Sequence, residues 1–249
     1  MTAILEVRGL TVKFGDFVAV RDVSFDLAPG SIHSIIGPNG AGKTTLFNAL
    51  TGRVMPTAGS VTFAGRDITR LPMHRRTVLG IGRSFQVTSL FAAMTVRQSL
   101  ALACQRKLGL GLLGILSRDR SLAPAAARAD ELLAFLGLGD VAERKSGELS
   151  HGQQRRLEIG LALAARPQVV FLDEPTAGMG IDDIDAVRRL IREIARTCTV
   201  VLIEHNMAIV MGISDTITVM FQGEVLVEGP PDAIRADRRV QMAYLGEVA

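Results

Sequence analysis

Cysteine is scarce in this chain of 249 residues: Cys104 and Cys198 are the only two, far apart and without metal-ligand spacing. A disulfide framework and a thiolate metal site are therefore set aside, and two reduced thiols of a cytoplasmic protein are the simplest reading. Long apolar runs are missing too. Glu6, Arg8 and Lys13 interrupt the first apolar residues, so no secretory signal is read, and no span of about 18 apolar residues follows. The run Leu108-Gly109-Leu110-Gly111-Leu112-Leu113-Gly114-Ile115-Leu116 is much too short to cross a bilayer and reads as packing inside a helical region. Internal repeats and low-complexity tracts are absent. Charge of one sign is not in excess, with 28 Lys and Arg against 25 Asp and Glu, so nucleic acid is not demanded as a partner, although an anionic membrane surface is allowed. A protein of this kind working at a membrane needs a partner to hold it there. What is present is a globular balance, 48% hydrophobic and 21% charged, which suits one large α/β domain with a smaller inserted subdomain.

Alternation of apolar and polar residues through the first thirty positions, broken at Gly15-Asp16 and Pro29-Gly30, predicts half-buried antiparallel strands. A further hairpin is predicted from Ser60-Val61-Thr62-Phe63 through Ala64-Gly65 to Asp67-Ile68. Val169-Val170-Phe171-Leu172 and Thr199-Val200-Val201-Leu202-Ile203 are almost continuously apolar, as strands buried on both faces of a parallel sheet are. Between them Ile184, Val187, Leu190, Ile191 and Ile194 recur at helical spacing, with acids early and arginines late, as the helix dipole favours in a βαβ crossover. Residues 94–165 carry many Ala and Leu and few strand signals, and read as the inserted helical subdomain between core segments 1–93 and 166–249.

Chemistry enters at Gly37-Pro38-Asn39-Gly40-Ala41-Gly42-Lys43-Thr44-Thr45, between the apolar run ending at Ile36 and the helix-like Leu46-Phe47-Asn48-Ala49-Leu50. Glycines let the backbone turn its N–H groups inward toward the oxygens of a nucleoside triphosphate. Lys43 supplies charge for the β and γ phosphates, Thr44 a hydroxyl for Mg²⁺, and the following helix its positive end. A glycine-rich turn that merely contained a lysine would not need the strand before and the helix after. The buried strand to Leu172 then ends in Asp173-Glu174, two carboxylates at the edge where parallel sheets bind ligands. Asp173 suits Mg²⁺ held through water. Glu174 suits orienting and deprotonating a lytic water. Taken alone, the pair could equally cap the turn before Pro175. Leu149-Ser150-His151-Gly152-Gln153-Gln154 opens another helix with Ser150 as N-cap, a second anion site.

With these pieces in this order, the chain resembles the nucleotide-binding subunit of an ATP-binding cassette (ABC) transporter, whose signature reads Leu-Ser-Gly-Gly-Gln. The resemblance runs from about Leu5 to Gly246. It implies a phosphate-loop ATPase fold: a parallel-sheet core, an antiparallel β subdomain and an inserted α-helical subdomain. It implies that Gln86, in Ser84-Phe85-Gln86, contacts Mg²⁺ and the lytic water, that His205 reaches the γ phosphate, and that Thr45 bonds the α phosphate. It places Phe14 against adenine, where a core phenylalanine is the competing reading. It also implies that Ser150, His151, Gly152 and Gln153 complete the ATP site of a second subunit, the same or a homologous chain. Two integral membrane permease subunits, and through them a substrate-binding protein, are the further implied partners. The implied location is the cytoplasmic face of a bacterial inner membrane.

Two residues depart from the family pattern. His151 replaces the first signature glycine, which requires a backbone without positive φ. Gly180 stands where many relatives carry an aspartate, so Asp182 or backbone groups would take over communication between the two sites. Arg155-Arg156-Leu157-Glu158-Ile159, Glu204-His205-Asn206-Met207 and the ending Ala243-Tyr244-Leu245-Gly246-Glu247 resemble ATP-binding subunits of branched-chain amino acid importers. A urea or short-amide importer, a lipopolysaccharide-export ATPase and, from another class, a soluble ABC ATPase acting on nucleic acid or the ribosome stay open at this point. A small-molecule kinase would leave the signature and His205 without a role.

Overall fold

The computed structural model describes residues 2–84, 92–105 and 123–245; Gln86 and the apolar run 108–116 lie outside the described residues. Strands β1 (Leu5–Phe14) and β2 (Phe17–Leu27) form the antiparallel pair that the alternation predicts, with Leu5, Val7, Leu10 and Val12 all buried. After β3 (Ile32–Ile36) and helix α1 (Lys43–Leu50) the chain returns to this first sheet through the hairpin of β4 (Ala58–Phe63) and β5 (Arg66–Asp67), giving the order β2-β1-β4-β5.

Helix α2 (Met73–Leu79) and the short β6 (Ile81–Arg83) lead toward a helical stretch containing α3 (Val96–Gln105), α4 (Ala123–Phe135) and α5 (His151–Leu163). Among the described residues of 94–165 the only ladder contact is the isolated bridge Thr95–Lys145. The chain then alternates through β7 (Val169–Asp173), α6 (Ile181–Ala195), β8 (Thr199–Ile203), α7 (Met207–Ile213) and β9 (Thr216–Phe221), and ends with β10 (Glu224–Gly229), α8 (Pro231–Ala236) and α9 (Arg238–Leu245). The second sheet has the order β10-β9-β3-β8-β7-β6, parallel except for β10.

Period-two geometry splits the buried strands between two cores. Val169, Phe171, Val201, Ile203 and Ile35 face a cluster shared with the first sheet and with Leu46, Phe47 and Leu50 of α1; Phe47 meets Phe171 edge-on at 5.3 Å between centroids. Val170, Leu172, Val200 and Leu202 face the other way, into a cluster with Leu157, Ile159 and Leu163 of α5 and with Val187, Ile191 and Ile194 of α6. Helices α1 and α5 therefore cover opposite faces of one sheet. Both cysteines are buried and unpaired, and burial pushes the Cys198 thiol up to about 12, so it stays protonated.

Candidate active site

Because β3, β8, β7 and β6 run parallel, their carboxyl ends open on one edge of the sheet. Register places Ile35, Ile203 and Asp173 in one row across it. The loops leaving these strands are the phosphate-loop candidate, the turn holding Glu174 and the turn holding His205, which the sequence alone leaves unconnected.

The loop after β3 is walled in by backbone. A Cβ on Gly37 would lie 2.1 Å from Met220 O, and one on Gly42 would lie 2.5 Å from Ala19 O; their φ values are +148° and +93°. No side chain caps α1 at Gly42. Lys43 is folded back into the loop, its Nζ donating to Gly37 O at 2.7 Å and Pro38 O at 2.8 Å. Asn39, Gly40 and Thr44 are exposed, Thr45 is half-buried, and Pro38 and Ala41 are buried.

Asp173 is nearly buried, and its N–H donates to Ser84 Oγ at 3.2 Å. Burial raises its carboxyl above the usual range, and the positive charge of Arg83 works against that rise. Arg83 in turn donates to Asn48 Oδ1 and Thr51 Oγ1, both at 2.8 Å, and lies over the Phe47 ring. Glu174 follows with φ +47°, a left-handed geometry that a non-glycine residue holds only when its surroundings impose it. Its N–H donates to Ile203 O at 2.9 Å, and its Oε1 is hydrogen-bonded to His205 Nε2. The two side chains are thus brought together from positions 31 residues apart.

At the start of α5 the sequence makes a full capping box. Gln153 N–H donates to Ser150 Oγ at 3.3 Å, and Ser150 N–H donates to Gln153 Oε1 at 3.0 Å. His151 is exposed, is the first residue of the helix and is not among the positive-φ positions, so the glycine it replaces is not demanded there. Gly152 is tight, a Cβ there approaching Asp183 Oδ1 to 2.6 Å. Phe14 is 53% exposed at the tip of the β1–β2 hairpin, opposite Phe17, so the core reading of that ring is removed. Gly180 is the N-cap of α6 with ordinary extended geometry.

Three further residues carry no signal that motif reading uses. Arg83 is the last residue of the three-residue strand β6. Asp183 is one acid among several. Arg76 is fully buried and donates to Ala49 O at 2.9 Å and Leu50 O at 2.7 Å, closing the carboxyl end of α1; burial pushes its pKa down to about 10.

A glycine cradle after β3 with an inward lysine, a histidine after the neighbouring strand β8 and two carboxylates at the end of the next strand, β7, define a phosphate-loop ATPase. Residues 20–177 match the ABC transporter family, and residues 224–249 match the branched-chain amino acid ATP-binding cassette transporter family. The chain belongs to the ABC transporter family. It is 42% identical to the high-affinity branched-chain amino acid transport ATP-binding protein BraF of Pseudomonas aeruginosa, with 98% of each chain covered. The corresponding protein LivG of Escherichia coli K12 is also 42% identical, over 98% of both chains. Among solved structures, the ADP conformation of MJ1267, an ATP-binding cassette of an ABC transporter, superposes with a TM-score of 0.88 at 32% identity, covering 99% of this chain and all of that one.

Proposed function

We propose that this chain is the ATP-hydrolysing motor subunit of a bacterial importer and energises uptake of branched-chain amino acids. The observation that carries the paired mechanism is the placement of α1 and α5 on opposite faces of the sheet. Two helix starts so separated do not close on one nucleotide within one chain, which supports a head-to-tail pair of cassettes. In this reading residues 37–45 hold ATP, Phe14 packs on the adenine, and Ser150, His151, Gly152 and Gln153 meet the nucleotide of the other cassette. Core segments 1–93 and 166–249 carry the hydrolytic edge, and 94–165 with Gln86 carry motion to the permease. The substrate class rests on the tail match and on the names of the two relatives.

Glu174 takes the proton of the attacking water, His205 steadies it against the γ phosphate, and Lys43 exchanges its loop carbonyls for phosphate oxygens. Thr44 and, through water, Asp173 suit Mg²⁺: they are oxygen donors, and no cluster of three or more His, Cys, Asp or Glu forms an all-protein cage among the described residues. Such a sparse donor set fits an ion bound largely through substrate phosphates, where it would neutralise their charge. Among the described residues no helix is long and apolar enough to cross a membrane. Attachment to the cytoplasmic face of the inner membrane would come through permease subunits.

Reconstitution with the native permease and binding protein tests the reading. ATP-dependent leucine uptake is expected, and Glu174→Gln should abolish it while keeping Mg-ATP binding, with hydrolysis down on the order of 10² to 10⁴-fold. Uptake of urea but not leucine would reassign the cargo, and wild-type turnover in Glu174→Gln would remove that residue from its role.

A further inference from the structure

Glu204 is a carboxyl side chain that none of the roles above uses, and it is only 3% exposed. Its Oε1 accepts two hydrogen bonds from Thr176, from the backbone N–H at 3.0 Å and from the hydroxyl at 2.5 Å. Its Oε2 accepts the N–H of His205 at 3.2 Å. Thr176 is itself buried and lies two residues after Glu174. The side chain therefore bridges the turn leaving β7 to the turn leaving β8, the two turns that carry Glu174 and His205. On the far side Asn206 caps α7 through Ala208 N–H at 3.0 Å, so His205 sits between two anchored neighbours.

A bridge of this kind answers a specific need. Glu174 is held at φ +47°, a geometry that persists only where its surroundings impose it; its N–H bonds Ile203 O at 2.9 Å and its carbonyl accepts the Ala177 N–H at 3.1 Å, while Glu204 ties the same turn to the His205 peptide. We propose that Glu204, acting through Thr176 and the His205 peptide, is a positioning residue that sets Glu174 and His205 against each other for hydrolysis. The proposal rests on the reading of Glu174 as the base.

Steady-state and single-turnover ATPase measurements on the full-length chain test it. Glu204→Ala should lower kcat at least tenfold while KM and the Kd for Mg-ATP stay within twofold. Glu204→Gln, which keeps an acceptor for Thr176, should recover part of the rate. Added to Glu174→Gln, Glu204→Ala should cost nothing more, because the bridge acts only through that pair. An equal fall in affinity and rate, or a further tenfold loss in the Glu174→Gln background, would overturn the bridge while leaving the base assignment intact. Wild-type turnover in Glu174→Gln would overturn the base assignment and the bridge with it. Where Glu204→Ala does not fold, Thr176→Val decides: a several-fold lower kcat with the Kd for Mg-ATP within twofold is expected, and wild-type kcat rejects the proposal.

Discussion

Two helix starts in this molecule, both proposed as anion sites, are made in opposite ways. The loop before α1 is closed from behind by the backbone of Ala19 and Met220, stripped of side-chain caps and charged from within by Lys43. The start of α5 caps itself through Ser150 and Gln153, exposes His151 and is crowded only by the Asp183 side chain at Gly152. The first is walled by backbone at Gly37 and Gly42, where an added Cβ would have no room. The second caps itself through Ser150 and Gln153 and leaves His151 exposed, as suits the proposed contact with a second cassette.

The sharpest way to break this contrast is Gly42→Ala. A methyl group 2.5 Å from a carbonyl oxygen, at a φ that L residues avoid, should destabilise the loop by roughly 1–3 kcal/mol. Nucleotide titration and calorimetry should show ATP affinity lost together with a lower melting temperature; normal affinity would mean the cradle yields more than its walls suggest. Ser150→Ala should act on the other half alone. It costs about 1 kcal/mol of α5 stability through the lost cap, and ATP affinity of the single cassette should hold. Pairing with ATP in a Glu174→Gln background, followed by light scattering, should then fail. Loss of single-cassette affinity would place α5 within the same chain's site. The smallest change is Gly180→Asp. The position has extended geometry and open space around a Cβ, so an aspartate N-cap should raise stability by a few tenths of a kcal/mol, read from denaturant midpoints.

Legibility varied along the chain for physical reasons. β7 and β8 were readable because both faces are buried, which forces unbroken apolar runs, and α6 because one face is buried and the other solvated. The hairpin of β9 and β10, and helices α2, α7, α8 and α9, went unread, being short elements whose patterns rest on the rest of the fold. His33 lies inside the apolar run of β3 and carries no local sign of its surroundings. Packed beside Phe25 with Nε2 2.7 Å from Thr218 Oγ1, it is kept neutral by burial that lowers its pKa to about 4. Phe14 shows the reverse case: the residue type fits core and ligand contact alike, and its exposure removes the core reading.

What the sequence by itself determined is the chemical inventory and its order: cradle, signature, acid pair and histidine, each a local arrangement of neighbours along the chain. Tertiary structure alone decided which of these meet. Strand order brings Glu174 to His205 and Glu204 to Thr176, and it sends α5 to the face of the sheet that α1 does not cover. The reason is that hydrogen bonds across loops and the partition of helices between two faces depend on long-range register, which no local pattern of residues encodes.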